Sequence, residues 1–317
     1  MFLTCEGRQV NPCKRSPATT QPEALQHSSV MTKNIPVQAA RFAFLLCLSI
    51  IIESCGSRDN HAPAPQNPGT VCAILAHPDD ETIISGTLAK LSDQGFKISV
   101  IYVTSGDEGP DETGRGLHRN KLAEVRETEA MDALRSIGIE TPPVFLRYPD
   151  GGVQENFDSV RQELITLLDE VKPQIVIGFG PDGITGSWDH RYTGKATDLA
   201  FDQTGCGRLL LHMAITKPLS PFYANGVAVP KRTVDVRVNV SGYFNQRIKA
   251  VESHKTQFNK GARSAYRLSV RFMRNEKYII ARKRNADTWF ESGFTHQSPG
   301  PDTCHDQYAA SKPDGSL

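Results

Sequence analysis

Residues 71–81 read VCAILAHPDDE, a short apolar run followed at once by one imidazole and three carboxylates. The apolar run predicts a buried strand, and the helix-like pattern of residues 82–94 predicts a helix directly after it. The polar side chains then lie at the turn between the two. In an open α/β sheet such turns form the crevice at the carboxyl ends of the strands, where ligands bind.

The polar side chains of this turn suit a metal site. His77 and Asp80 are three positions apart, so both can reach one small ion. An imidazole with a carboxylate is a donor set that zinc accepts. Asp79 is then left free beside the metal, where a general base is needed. In the alternative interpretation, Asp79 and Asp80 only cap the helix and favour its positive end, which leaves the preceding His-Pro and the following Glu81 without explanation.

Strands and helices alternate beyond this turn. This alternation predicts an α/β fold, a Rossmann-like three-layer sandwich with a mostly parallel sheet. A dinucleotide-binding protein is excluded because the first strand is followed by His-Pro-Asp-Asp and not by a glycine-rich phosphate loop. The further predicted strands are 97–103, 143–147, 174–179, 208–215 and 233–240, and the further predicted helices are 120–137, 157–171 and 243–257.

Four motifs, in this order along the chain, resemble those of the PIG-L/LmbE-like deacetylases. Residues 76–81 are similar to the A-H-P-D-D-E signature, and residues 104–109 to the T-x-G-x-x-G that follows the second strand. Arg126 and Glu129 resemble the R-x-x-E of the next helix, and residues 183–190 resemble the second metal segment, usually G-x-x-G-H-x-D-H. Members of this family are zinc-dependent amidases that remove acetyl from N-acetylglucosamine conjugates.

The resemblance spans residues 71–278 and implies an LmbE-like fold with zinc hydrolase chemistry on a small amino-sugar substrate. It implies that His190 completes the ligand set of His77 and Asp80, with Asp79 as general base. A catalytic zinc keeps three protein ligands and an open position for water, and iron(II) accepts similar ligands. Asp189 either orients the ring of His190 or caps the helix that starts near residue 192.

Ser187 departs from the family pattern, because many members carry H-x-x-H where this chain has Ser-Trp-Asp-His. A serine hydroxyl donates a hydrogen bond but cannot become a cation near neutral pH. The change therefore bears on transition-state stabilisation more than on the metal site. Trp188 is a candidate stacking wall for a sugar ring, or an ordinary packing residue. His254, in a segment that resembles the family's H-x-S-Q, is a second catalytic candidate or a structural hydrogen-bonding group.

Two further residues are implied in substrate binding. Arg126 is a candidate for gripping substrate hydroxyls or phosphate, whereas the alternative is a surface pair with Glu129 worth about a few tenths of a kcal/mol. Asp150 matches a family position that contacts the sugar, although the chemistry of its Asp-Gly-Gly turn accounts for it equally.

Composition limits the partners. Charged residues make up 22% and the formal net charge is +1, so no nucleic-acid footprint is expected, and the oligomeric state is left open. Among seven cysteines there is no C-x-x-C pair, so a thiolate zinc site is not expected. Cys206 and Cys304 would pair only in an oxidising compartment, and the sequence does not decide this.

Within the first 55 residues the true start of the protein is uncertain, and the later part resembles an export segment of the signal-peptide or lipoprotein type. Met31 is a second plausible start, and the apolar run 42–52 has signal-peptide length and is too short to span a membrane. Cys55 ends a sequence that resembles a bacterial lipobox, with Glu53 as a departure, and is the candidate lipid anchor of an exported, periplasmic or cell-surface protein. The alternative for the apolar run is a buried strand of a cytosolic protein.

We expect residues 56–69 to be a linker, 70–296 the catalytic domain and 297–317 a loose tail. Two functions remain in view. The first is a deacetylase acting on an N-acyl amino sugar. The second is a catalytically weak or inactive sugar-binding lipoprotein of the same fold, which Ser187 favours. The presence of Asp79 beside a full ligand set argues against the second, since a binding module does not need a free carboxylate there.

Overall fold

The computed structural model describes residues 68–205, 207–216, 228 and 231–284. The predicted export segment with Cys55, nearly all of the linker, the C-terminal tail, and both Cys206 and Cys304 lie outside these residues. Export, lipidation, the disulfide and the outer domain boundaries therefore stay predictions. Within the described residues, no helix has the length and apolar character needed to cross a membrane.

The described residues form one seven-stranded sheet with the strand order β3-β2-β1-β4-β5-β7-β6. The first five strands are parallel, β7 is antiparallel to β5, and β6 is antiparallel to β7. The strands are β1 Thr70–Leu75, β2 Lys97–Thr104, β3 Val144–Tyr148, β4 Ile175–Gly178, β5 Leu209–Ala214, β6 Val236–Asn239 and β7 Asn275–Lys283. The α-helices are α1 Ser85–Asp93, α2 Asn120–Ser136, α3 Phe157–Val171, α4 Trp188–Thr204, α5 Phe244–Ser253 and α6 Lys260–Ser269.

The sheet is covered on both faces. Successive side chains of β1 point to opposite faces, so Val71, Ala73 and Leu75 join one apolar cluster and Cys72 and Ile74 join the other. The first cluster takes its helix residues from α1, α2 and α5, and the second takes them from α3 and α4. The three-layer α/β sandwich with a mostly parallel sheet is thereby confirmed.

The helix predicted over residues 82–94 is wrong at its start. Asp80–Ile83 forms a single 3₁₀ turn, and α1 begins only at Ser85. Neither Asp79 nor Asp80 caps α1. The N–H groups of Gly86 and Thr87 instead donate to the Glu276 carboxylate on β7, at 2.9 and 2.7 Å. A carboxylate at a helix N-terminus is stabilised there by the unpaired N–H groups and the helix dipole.

Two further boundaries differ from those predicted. The last predicted strand starts at Val236 and not at 233, because Lys231–Thr233 forms a 3₁₀ turn. The helix predicted to reach residue 257 ends at Ser253, since the backbone of His254 (φ −82°, ψ 69°) leaves the helical region. The prediction did not include α6, none of whose residues is buried.

Candidate metal centre and active site

Three side chains from two distant parts of the chain meet at the carboxyl ends of β1 and β4. His77 follows β1, Asp80 lies in the 3₁₀ turn, and His190 lies in the first turn of α4. His77 Nδ1 lies 3.1 Å from His190 Nε2 and 3.7 Å from Asp80 Oδ2, and His190 Nε2 lies 3.2 Å from Asp80 Oδ1. Their donor atoms all lie within 4.8 Å of one another, close enough for one metal ion.

The hydrogen bonds around the two imidazoles fit a bound cation. His190 Nδ1 lies 3.0 Å from the Gly183 carbonyl oxygen, which can only accept, so Nδ1 carries the proton and Nε2 its lone pair. His77 Nε2 faces the carboxylates of Asp189 and Asp150, at 3.2 and 3.1 Å, so it too is a donor. Burial lowers the pKa of His77, but these carboxylates outweigh burial and raise the pKa well above its ordinary value, so the ring would give up the proton of Nδ1 when a metal ion binds. His77 Nδ1 and His190 Nε2 face each other at 3.1 Å, which leaves room for one positive charge, a proton or a metal ion, to stabilise both.

Asp80 is held as an anion. Its Oδ2 accepts hydrogen bonds from the N–H groups of Ala76 and His77, at 3.1 and 2.7 Å. Burial raises the pKa of Asp80, but the charge and hydrogen bonds of His190 and His77 outweigh it and leave the pKa below its ordinary value. A carboxylate that is ionised at neutral pH is the form that binds zinc or iron(II).

Asp189 holds His77 and not His190, in contrast to the interpretation from the sequence. Its carboxylate also accepts from the N–H groups of Gly151 and Val153, at 2.6 and 3.2 Å, so it ties the loop after β3 to the ring of His77. The ring of His190 is fixed by other groups. Its Nδ1 contacts Thr185 Oγ1 at 2.8 Å as well as Gly183, and its face stacks on Phe179 with ring centroids 4.2 Å apart.

We expect Asp189→Asn to weaken metal affinity about 10- to 100-fold, the usual cost of losing a carboxylate that orients a ligating histidine. The amide keeps the size of the side chain but can turn its NH₂ group toward His77 Nε2, which favours the wrong tautomer. Metal affinity measured by competition with a chromophoric chelator tests this. Asp202→Asn, on the far end of the same helix, is the control and should bind metal normally. Equal affinities for all three proteins would remove Asp189 from the site.

Asp79 occupies an unusual backbone position beside the ligands. Its φ of 116° lies in the left-handed region that non-glycine residues seldom adopt. Its N–H donates to Glu81 Oε2 at 3.0 Å, and its side chain makes no hydrogen bond that would cap the following turn. Burial, and then the negative charge of Asp80, raise the pKa of Asp79 to about 7, while the charge of His254 opposes them. A carboxyl group with this pKa suits proton transfer near neutral pH.

A cavity of about 610 Å³ opens over the three donor residues, within the usual volume range for small-molecule sites. The sequence-derived candidates on its wall are His77, Asp79, Asp80, Arg126, Asp150, Ser187 and His190. Trp188 is not among the lining residues. Its side chain is 61% exposed and faces Arg191 and Tyr192 on its own helix, so it does not form a stacking wall in this cavity.

His254 lies behind the cavity wall. It is fully buried, its Nδ1 faces Gln257 Oε1 at 2.9 Å, and its Nε2 makes a close ion pair with Glu81. Glu81 in turn accepts from the Tyr102 hydroxyl at 2.8 Å. Burial lowers the pKa of His254. The negative charge of Glu81 and the hydrogen bond to Glu81 raise it by more than burial lowers it, so the pKa is about 8. Both ring nitrogens are engaged by protein groups, so this geometry places His254 to position the turn that carries Asp79.

Arg126 and Glu129 do not form the local surface pair considered above, because both are buried and each has partners of its own. Arg126 donates to the carbonyl oxygens of Gly106 and Pro110, at 2.5 and 2.9 Å, and so anchors the loop after β2 while lining the cavity. Glu129 accepts from the N–H group and hydroxyl of Thr256, at 3.0 and 2.5 Å. The R-x-x-E motif therefore ties two loops of the site to α2.

We expect Thr256→Val to lower the free energy of unfolding by about 1.5–3 kcal/mol, because it removes a buried hydrogen bond to a charged group. The substitution keeps the shape of the side chain, so the cost reports the hydroxyl. Thr166→Val is the control, since Thr166 is an exposed residue of α3 that contacts only the Gln162 carbonyl; it should change stability by less than about 0.5 kcal/mol. Urea titration followed by circular dichroism measures both. Equal losses of stability in Thr256→Val and Thr166→Val would show that the hydrogen bond between Thr256 and Glu129 does not stabilise the fold.

Several lining residues were not predicted from the sequence. Thr185 contacts His190 directly, and Gln257 contributes to the wall beside Asp79. Tyr266, Ser269 and Met273 come from α6 and the turn after it. A signal existed for Gln257, which ends the segment that begins with His254, whereas α6 was not among the predicted helices.

The described residues thus combine a mostly parallel three-layer sheet with a His-His-Asp cluster at the carboxyl ends of its strands. Known proteins share this fold and parts of the sequence. Residues 72–201 match the family model described as PIG-L: GlcNAc-PI de-N-acetylase. Among solved structures, N,N'-diacetylchitobiose deacetylase from Pyrococcus horikoshii superposes with a TM-score of 0.54 at 21% identity, covering 78% of this chain and 94% of that one.

Curated relatives include two 1D-myo-inositol 2-acetamido-2-deoxy-α-D-glucopyranoside deacetylases. The protein from Thermobifida fusca is 27% identical over 241 residues, which covers 60% of this chain and 84% of the relative. The protein from Saccharomonospora viridis is 26% identical over 268 residues, which covers 68% and 97%. Over residues 72–201 the chain is similar to the PIG-L family, as the resemblance of its motifs predicted.

Proposed function

We propose that this protein is a metal-dependent deacetylase that removes an acyl group, chiefly acetyl, from a small N-acetylglucosamine-type conjugate. The observation that carries the proposal is the convergence of His77, Asp80 and His190, with Asp79 facing the same cavity. The family match and the relatives named as deacetylases of acetylated glucosamine conjugates support the reaction type.

The donor set fits zinc or iron(II), and either ion would supply a Lewis acid that acidifies water and polarises the acyl carbonyl. Asp79 takes the proton of the attacking water at its carboxylate, and the burial that raises its pKa favours holding that proton until the amine departs. The same residue then protonates the leaving nitrogen. A carboxyl group that acts first as a base and then as an acid works best when its pKa is close to the working pH.

The remaining polar groups of the cavity position the substrate in this proposal. Asp150 and Arg126 line the wall and offer an acceptor and a cation to the hydroxyls of a sugar. Ser187, at the start of α4, offers a hydroxyl to the acyl oxygen but carries no charge. His254 acts through Glu81 and Gln257, whose amide donates to the Pro78 carbonyl oxygen of the HPDDE turn. It is therefore a positioning residue here, and Asp79 alone returns the proton.

The test pairs metal analysis with an amine-release assay on the full chain. Candidate substrates are N-acetylglucosamine joined to inositol and to a second sugar, with the corresponding free amines as blanks. We expect about one metal ion per chain and amine release that stops when a chelator removes the metal. Folded protein that takes up neither zinc nor iron(II) would overturn the proposal.

A sugar-binding protein without catalysis is the second candidate, and Ser187 is the observation that favours it. Ser187→His restores an imidazole at this place in the cavity wall. If the wild type binds metal and sugar without amine release, and Ser187→His begins to release amine, the binding function is favoured. Amine release by the wild-type protein would exclude the binding function without catalysis.

A further inference from the structure

One surface of the molecule combines exposed apolar side chains with positive charge. It consists of α6 and the turn after it, residues 260–274, and we call it the α6 surface. Phe272 is 80% exposed and Leu268 is 65% exposed, more than any other large hydrophobic residue among those the structure describes. None of the residues of α6 is buried. Exposed apolar side chains that cluster on one surface mark interaction sites more often than single scattered ones do.

The charge of this segment has one sign. Between residues 259 and 275 there are five basic residues and no acidic one, whereas the whole chain has a net charge of only +1. Arg263 and Arg267 are four positions apart on α6 and so share one side of the helix, whereas Leu268 lies in the last turn of α6 and Phe272 in the turn that follows it. The five basic residues are Lys260, Arg263, Arg267, Arg271 and Arg274.

Carboxylates of the described residues neutralise few of these five positive charges, so the charges are available to a binding partner. Glu252 on α5 pairs with Arg267 and is the only carboxylate that the described residues bring to these five. The guanidinium of Arg271 lies 5.5 Å from the ring centre of Phe244, and Arg263 donates to the Phe258 carbonyl oxygen. These contacts hold the side chains along the surface without neutralising them.

The α6 surface adjoins the candidate active site. Tyr266 and Ser269 of α6, and Met273 after it, form part of the cavity wall, whereas Leu268 and Phe272 point away from the core of the protein. A partner bound at Leu268 and Phe272 would therefore sit beside the mouth of the cavity.

We propose that the α6 surface docks onto a lipid bilayer that contains anionic headgroups. A surface helix that exposes apolar side chains among basic ones binds in the plane of a membrane interface, and α6 with the turn after it exposes Leu268 and Phe272 among five basic residues. Each basic residue near such a surface adds electrostatic attraction. A soluble polyanion would account for the arginines but not for the exposed Phe272. The proposal does not depend on the deacetylase reaction and stands or falls separately from it.

The experiment is flotation of the full chain with vesicles of phosphatidylcholine alone or mixed with phosphatidylglycerol. We expect binding that requires the anionic lipid. Leu268→Ser with Phe272→Ser should weaken it at least about tenfold through lost apolar burial, and Arg271→Glu with Arg274→Glu should do the same through lost charge. The control is Lys121→Glu with Arg135→Glu on α2, which makes the same change in net charge and should bind like the wild type.

All of these proteins share the same first 67 residues, so differences among them report the α6 surface. Phe272→Trp adds a direct readout, because its fluorescence should be quenched by brominated lipid. No binding to anionic vesicles, equal binding by every variant, or absence of quenching at position 272 would each overturn the proposal. Binding to heparin with no binding to vesicles would assign the surface to a soluble polyanion and would overturn it as well.

Discussion

Asp79→Asn is expected to lower turnover by at least about a hundredfold while the metal remains bound, since general acid–base catalysis contributes about 10²- to 10⁴-fold. The substitution is nearly isosteric and does not touch the three donor residues. The side chain makes no capping hydrogen bond, so little stability depends on its charge. Turnover is measured by amine release at saturating substrate, and metal content is measured on the same samples.

The direction in which activity changes with pH is a further test of the role of Asp79. A base must be deprotonated to act, so activity should fall as pH falls through the pKa of Asp79. That pKa is about 7 without metal, and a bound dication moves it lower because opposite charge favours the carboxylate. The acid limb of the wild type should therefore lie below pH 7 and be absent from Asp79→Asn. Asp132→Asn, an exposed carboxylate of α2, is the control. Wild-type turnover in Asp79→Asn would exclude Asp79 from the mechanism.

His190→Ala is expected to weaken metal affinity by more than about a hundredfold, beyond the 10- to 100-fold range of groups that only orient a ligand. It removes one of three donor atoms and leaves His77 and Asp80 as an incomplete set. Amine release should fall to background at metal concentrations that saturate the wild type. Both quantities are measured by titration with zinc or iron(II).

His212→Ala provides the matched control. His212 is also a buried histidine near the end of a strand, and its Nε2 contacts Asp198 Oδ1 at 2.7 Å, outside the candidate site. Its loss should reduce stability but leave one metal ion per chain. If His190→Ala binds metal as tightly as His212→Ala, the ligand set is not the one proposed.

The parts of the fold that depend on local pattern could be predicted from the sequence. The alternation of apolar strands and amphipathic helices is sufficient to predict the parallel strands at the centre of the sheet, because each element needs a partner for its own apolar face. The juxtaposition of His77 and His190 also followed, since both motifs come after strands whose carboxyl ends share one edge. The start of α1 did not, because its N-terminal N–H groups are satisfied by Glu276, 190 residues away.

The same limit applies to the site. That Asp189 contacts His77 and not its neighbour His190 depends on the direction in which α4 leaves its loop, which no spacing in the sequence encodes. The burial of His254 against Glu81 depends on how α5 packs beside the first turn, 173 residues earlier in the chain. Local chemistry thus pointed to His77 and Asp80 and the family resemblance to His190, whereas the partners that orient them are set by tertiary packing.

The Glu276 cap has a consequence for the order in which the protein is made. A ribosome releases residues 77–81 long before it releases β7, so the nascent chain already contains His77 and Asp80 while the start of α1 still lacks its acceptor. Closing so long a loop carries an entropic cost that must be met before the contact forms. The start of α1 is therefore capped only after nearly the whole described chain has been synthesised, and a protein ending before residue 276 would carry the signature motif next to an uncapped helix.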